Sequence, residues 1–119
     1  MIKPHGADAL DPRIVANDAE REALAREAEV LPSMLLNSAA AAPVVLVGAG
    51  SVTPLSGFMY AADAMSVAPE LRTTDGLFWP VPVVNLTSDT TGIDVERRIA
   101  LRDPNVAGNP VLAVMDVSS

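Results

Sequence analysis

The clearest chemical signal lies in residues 43–52, PVVLVGAGSV, where an apolar run leads into two closely spaced glycines. An apolar strand followed by G-x-G-x-x-G binds dinucleotides, because the helix after it offers free N–H groups to the pyrophosphate. Gly48 and Gly50 match the first two glycines, but Thr53 occupies the third position. Pro54 follows and has no N–H to donate. We therefore expect a tight glycine turn here and no nucleotide site.

The other residue types that could do chemistry lack partners at a useful spacing. His5 is the only histidine, and its place in an N-terminal arm that we expect to be mobile favours a solvated or capping role over catalysis. Three hydroxyls crowd the glycine turn without a nearby histidine to act as base: Ser51, Thr53 and Ser56. Four carboxylates stand at turns or helix starts, where acidic residues usually cap the backbone: Asp63, Asp75, Asp89 and Asp94. We expect no catalytic residue, no cofactor-binding residue and no metal site.

Three arginines near the end of the chain could bind an anion if two of them share one face of a strand. They are Arg97, Arg98 and Arg102. Because the chain is acidic, we favour the alternative in which they are solvated or paired with nearby carboxylates.

Composition and charge restrict the classes of partner. The chain has 119 residues, room for one small domain, with 8 basic and 15 acidic residues and a net charge of −7. Such a surface repels phosphate backbones and anionic lipid, which disfavours nucleic acid and membrane as partners. The absence of cysteine excludes disulfides and thiolate sites. The N-terminus, MIKPHGADAL, lacks an apolar core long enough for a signal peptide, and no apolar run approaches the length of a membrane span, so we expect a cytoplasmic protein.

The elements that would position these residues change character along the chain. Residues 1–13 are predicted to form an extended arm, and residues 17–42 a helical part. Asn17 and Glu20 have capping-box spacing, and Pro32 should end the helix that they begin. Ser33 is predicted to cap a second helix over residues 34–42, which Pro43 should stop.

Residues 44–119 are predicted to form loops and strands. We expect a short strand at 44–47, a helix at 60–67, and strands at 81–86, 97–102 and 111–117. Proline, asparagine and glycine at 103–105 and 108–110 predict turns before the last strand. Helices first and strands later indicate a single α+β domain with a small antiparallel sheet or partial barrel.

Several motifs resemble the N-terminal domain of sulfate adenylyltransferases (ATP sulfurylases). Residues 53–59, TPLSGFM, resemble that family's SPLxGFM signature, and residues 74–82, TDGLFWPVP, are similar to its DGLFWPIPI-type strand. IKPHG, RIALRDPN and GNPVLAVMDV resemble the branch found in sulfur-oxidising and sulfate-reducing prokaryotes. The likeness runs in order through nearly all 119 residues.

The resemblance implies a fold and a structural role for the signature. The family's fold here is a PUA-like antiparallel β pseudo-barrel preceded by helices, and the resemblance leaves open a complete or an incomplete barrel in this chain. The signature residues are expected to shape and anchor the loop: Pro54, Leu55, Gly57, Phe58, Met59, Trp79 and Pro80. Gly57 should permit a close backbone approach, and Phe58 should pack in a core poor in aromatic residues. Val52 departs from the aromatic residue that is common there, which implies looser packing.

The resemblance also implies what is missing. In the family, ATP with Mg²⁺ and sulfate bind a following α/β domain marked by Gln-x-Arg-Asn and Gly-Arg-Asp-His motifs. This sequence has no glutamine, and its one histidine is His5, so neither motif is present. We expect a non-catalytic N-terminal domain or fragment of an enzyme that converts ATP and sulfate to adenosine 5′-phosphosulfate and pyrophosphate, or the reverse. Its expected partners are the catalytic domain or the full-length enzyme, and a homo-oligomer. The alternative is a stand-alone PUA-like binding or interaction module without enzymatic activity.

Overall fold

Three helices and three short strands make up the regular structure of the described residues. The computed structural model describes residues 3–87, 90, 93–95 and 97–117. In chain order the elements are α1 (Asp18–Val30), β1 (Ser33–Leu35), α2 (Ser38–Ala49), α3 (Ala61–Glu70), β2 (Arg98–Arg102) and β3 (Val111–Asp116).

The strands form one mixed sheet in the order β1-β2-β3. β2 and β3 pair antiparallel, with Arg98 opposite Asp116, and the predicted turns lie between them. β1 pairs parallel to β2, with Ser33 opposite Ala100. The sheet is not closed, so the α+β prediction and an incomplete pseudo-barrel are confirmed. The prediction of a purely antiparallel sheet is wrong, because β1 comes from residues that we had expected to be helical.

The first helix follows the prediction closely. Asn17 accepts a hydrogen bond from the Glu20 N–H at 2.9 Å, and the Glu20 carboxylate accepts one from the Ala16 N–H at 3.2 Å. The helix ends at Val30, two residues before Pro32. One buried residue, Ala28, faces the rest of the domain, so α1 is a largely exposed helix beside the sheet.

The second helix differs from the prediction. It begins at the Asn37 cap, whose side chain accepts a hydrogen bond from the Ala40 N–H at 2.8 Å, and it continues through Pro43 to Ala49. The predicted helix at 34–42 is therefore correct only over residues 38–42, and the predicted strand at 44–47 is wrong. A proline inside a helix loses one hydrogen bond, and here burial of Ala40 and Ala41 in the core accompanies the uninterrupted helix. Tertiary packing has overridden the local signals.

The segment after α3 also differs. The helix predicted at 60–67 is present as α3, but the strand predicted at 81–86 is not present, and these residues form no regular secondary structure. Pro80 and Pro82 have no N–H to donate to a strand ladder, which explains why this segment does not pair. One backbone bond holds it: the Met59 N–H donates to the Val83 carbonyl at 2.7 Å.

The core consists of two small clusters of buried apolar residues. The first joins α2 to the sheet and contains Leu36, Ala40, Ala41, Ile99 and Leu101. The second lies under α3 and contains Val67, Trp79 and Val83. Phe58 is half-buried and packs against both clusters. It is thus the aromatic side chain that connects the two halves of the core.

Candidate functional site: an uncharged apolar cleft

The glycine turn is the C-terminal cap of α2. Gly50 has φ of 78°, and its N–H donates to the Val47 carbonyl at 3.1 Å. The Ser51 N–H donates to the Leu46 carbonyl at 2.9 Å. The apolar run before the glycines is therefore the end of a helix, whose partial negative charge disfavours a phosphate. The predicted strand at 44–47 is thus part of a helix, and the expectation of no dinucleotide site stays a prediction.

Thr53 connects this turn to the N-terminal arm. Its buried hydroxyl donates to the Gly50 carbonyl at 2.7 Å and accepts a hydrogen bond from the Asp11 N–H at 3.0 Å. The Arg13 N–H donates to the Gly48 carbonyl at 2.8 Å. The C-terminal part of the arm is thus tied to the end of α2.

His5 lies at the other end of the arm. Its Nε2 is 2.7 Å from the Phe78 carbonyl, and its ring centre is 6.1 Å from that of Trp79. The imidazole remains exposed. His5 therefore contacts the Phe78-Trp79-Pro80 segment. It is not a hydrogen-bond partner of the Thr53 hydroxyl, which bonds to Gly50 and Asp11 instead.

The signature residues divide into buried and exposed groups. Leu55 and Met59 are half-buried and pack with Trp79 in the second core cluster. Pro54 and Pro80 are exposed. Gly57 differs from the expectation, since a Cβ there would meet no atom within 4 Å and no close backbone approach exists.

The candidate carboxylates serve local structure. Asp63 accepts hydrogen bonds from the backbone N–H and the hydroxyl of Thr74, both at 2.8 Å, and these bonds lower the pKa of its carboxyl. Asp75 pairs with the Thr73 hydroxyl, and Asp94 with Arg97 at 3.7 Å. Asp89 lies outside the described residues. Within the described ranges, no group of three histidine or acidic side chains could hold a metal ion.

The three arginines do not combine into an anion-binding patch. Arg98 bridges Glu27 of α1 at 2.9 Å and Asp116 of β3 at 3.0 Å. Hydrogen bonds to Asp116 and then Glu27 raise the pKa of its guanidinium. The Arg102 guanidinium donates to the Asn109 carbonyl at 3.0 Å. Together with the Arg97–Asp94 pair, these contacts favour the paired alternative over the anion patch.

The described residues enclose a cleft with a volume of about 940 Å³. Residues of α2 line one wall and residues of the segment at 78–86 line the second, while the arm and the glycine turn form the end. Its twenty lining residues include no aspartate, glutamate, lysine or arginine. Sequence reasoning missed this cleft, yet a signal existed: residues 30–62 and 76–88 carry no charged side chain.

The sequence and the fold are similar to those of known proteins. The PUA-like domain family matches residues 2–119, and the chain belongs to this family. More particularly, it matches the N-terminal region of sulfate adenylyltransferases. It is 56% identical over all 119 residues to the sulfate adenylyltransferase of Alcanivorax borkumensis and 52% identical to that of Allochromatium vinosum, and spans 30% of the length of each.

A solved structure supports the same placement. The hexameric APS kinase from Thiobacillus denitrificans superposes with a TM-score of 0.78 at 32% identity. The alignment covers 97% of this chain and 22% of that protein. The described helices include none that is long and apolar enough to cross a membrane.

Proposed function

We propose that this chain acts as the N-terminal, non-catalytic region of a sulfate adenylyltransferase, where it supports the region that carries out the chemistry. The observation that carries the proposal is identity of 56% to such an enzyme along the whole chain. The SPLxGFM-type loop uses its side chains for packing, since Leu55, Phe58 and Met59 contact the core clusters. The proposed role is therefore structural.

The chemistry of the described residues does not fit an adenylyl transfer site. Such a reaction needs cations and hydrogen-bond donors placed around the reacting phosphate. Arg97, Arg98 and Arg102 are engaged by neighbouring groups, and Lys3 pairs with Asp8 at 3.0 Å. The cleft contains no charged lining residue. We therefore assign ATP, Mg²⁺ and sulfate to the rest of the enzyme, outside this domain. We propose separately that the whole enzyme is a cytoplasmic homo-oligomer.

The direct test is turnover by the purified chain. Incubated with ATP and sulfate, it should form no adenosine 5′-phosphosulfate, and with that product and pyrophosphate it should form no ATP. Turnover that a substitution within these residues abolishes would show that the domain is itself catalytic.

A second candidate is a stand-alone PUA-like interaction module, and the open apolar cleft favours it. In that case the isolated chain should bind a separate, complete sulfate adenylyltransferase in trans. Titration of the intact Alcanivorax borkumensis enzyme with the labelled chain separates the two roles. Saturable binding supports the module, and no binding at high micromolar concentration supports the covalently joined domain.

A further inference from the structure

The cleft is depleted of charge far beyond the rest of the molecule. Charged residues make up 19% of the sequence, so about four would be expected among twenty residues. None of the cleft residues is acidic or carries a lysine or arginine. Depletion of charge together with aromatic enrichment marks the centre of a protein interface, and this cleft contains Phe78 and Trp79.

Large apolar side chains on both walls are open to solvent. On α2, Leu46 is 45% exposed, and on the facing segment Phe78, Val81 and Leu86 are 47%, 56% and 76% exposed. Large contiguous apolar patches are uncommon on the surfaces of monomeric proteins and usually mark a site of interaction. Single exposed residues elsewhere, such as Met65 on α3, need no such explanation.

The walls are fixed before anything binds. The Met59 N–H donates to the Val83 carbonyl at 2.7 Å, and the Asp11 N–H donates to the hydroxyl of Thr53, which lines the end of the cleft. The arm already forms hydrogen bonds to α2 and to Phe78, so it frames the cleft and leaves its apolar floor uncovered. The cleft is therefore preformed, which lowers the entropic cost of docking.

We propose that the rest of the sulfate adenylyltransferase polypeptide docks in this cleft. It would pack an uncharged apolar surface against Leu46 and Val81. The inference rests on the proposed function. The relatives carry this domain joined to more than twice its own length of further chain, since it spans 30% of them. A second copy of this chain is disfavoured as occupant, because both copies carry a net charge of −7.

The absence of cysteine from the sequence makes the cleft easy to probe. The test uses a hybrid enzyme in which these 119 residues replace the matching region of the Alcanivorax borkumensis protein. Single Leu46→Cys and Val81→Cys variants report on the cleft, and Met65→Cys, 75% exposed on α3, is the matched control. The rate of modification by a small thiol reagent is measured at each site by mass spectrometry, in the isolated chain and in the hybrid.

We expect modification at both cleft positions to be at least ten-fold slower in the hybrid than in the isolated chain. Modification at Met65→Cys should agree within about two-fold between the two proteins. Adding Val81→Asp to the Leu46→Cys hybrid should restore fast modification, because a buried unpaired carboxylate opposes docking. Trp79 fluorescence of the isolated variants reports whether the domain remains folded.

The outcomes separate this inference from the proposed function. Equal modification rates at the cleft positions in an active hybrid would overturn the docking assignment and leave the proposed function standing. A folded hybrid without turnover would contradict the proposed function itself. Slow cleft modification in the isolated chain, together with a dimer in sedimentation, would identify a second copy as the occupant and overturn the assignment.

Discussion

The Asp11 N–H donates to the Thr53 hydroxyl at 3.0 Å and joins two parts of the chain that lie 42 residues apart. The same hydroxyl donates to the Gly50 carbonyl at 2.7 Å. One buried side chain thus fixes the N-terminal arm, the end of α2 and the start of the signature loop relative to one another. The end of the cleft depends on this contact.

Replacing Thr53 with valine keeps the shape of the side chain and removes both hydrogen bonds. We expect a loss of about 1–3 kcal/mol in the free energy of unfolding, since the Asp11 N–H loses its partner and the Gly50 carbonyl keeps only the bond from the Thr53 N–H at 3.3 Å. The Asp11 amide should exchange with solvent faster. Thr53→Ser retains the hydroxyl and should keep most of the stability, as measured by urea unfolding. Equal stability of Thr53→Val and the wild type would contradict this account.

Phe58 should be the most costly residue of the signature loop to truncate. It packs against both core clusters, so Phe58→Ala removes the contact between them. Truncating a fully buried phenylalanine to alanine lowers the free energy of unfolding by about 3–5 kcal/mol. Because Phe58 is only half-buried, we expect a loss near the lower end of that range. Ser56→Ala changes an exposed side chain in the same loop and should alter the free energy of unfolding by less than about 0.5 kcal/mol. Similar melting of the two variants would show that Phe58 does not anchor the loop.

The two glycines of the apparent nucleotide motif should respond differently to alanine. Gly50 has φ of 78°, and a Cβ there would lie 3.1 Å from the Pro12 nitrogen, so Gly50→Ala should destabilise by at least about 1 kcal/mol. Gly48 is helical, and its Cβ would meet only Ile14 at 3.4 Å. Gly48→Ala should stabilise by up to about 1 kcal/mol. Thermal unfolding of both variants measures the contrast, and the same sign for both would contradict the helix-cap assignment.

Asp63 should make stability depend on pH. The Thr74 N–H and then its hydroxyl lower the pKa of the Asp63 carboxyl, so the folded state favours the ionised form. The resulting stabilisation is complete above the pKa of the unfolded chain, about 4, and disappears as pH falls through the lower folded value. The stability difference between wild type and Asp63→Asn should be constant from about pH 8 to 5 and shrink below about pH 4. Thr74→Val should move the carboxyl pKa, followed by NMR, back toward its usual value.

The sequence predicted the elements whose signals are local. The Asn17–Glu20 box, the end of α1 before Pro32, α3 and the β2–β3 hairpin are all present. In each case the residues that decide the structure are close neighbours: a cap and its N–H, or alternating apolar residues bounded by turns. Motif resemblance then identified the family, which the match over residues 2–119 confirms.

The sequence did not predict the elements that depend on distant contacts. α2 passes through Pro43 while Ala40 and Ala41 are buried against the sheet, which no local pattern reveals. β1 is a strand because the Ala100 N–H donates to the Pro32 carbonyl at 2.9 Å, a contact across 68 positions. The cleft depends on the same packing, since α2 forms one of its walls. The uncharged stretches indicated a surface of this kind but not its position.

The central claim is that this domain supports sulfate adenylyltransferase chemistry without supplying catalytic groups. Turnover of ATP and sulfate by the hybrid enzyme, compared with the isolated chain and with a hybrid carrying Phe58→Ala, tests it most directly. The account predicts an active hybrid, an inactive isolated chain, and loss of activity in the Phe58→Ala hybrid in parallel with loss of its folded domain. A folded but inactive hybrid, or turnover by the isolated chain, would contradict it.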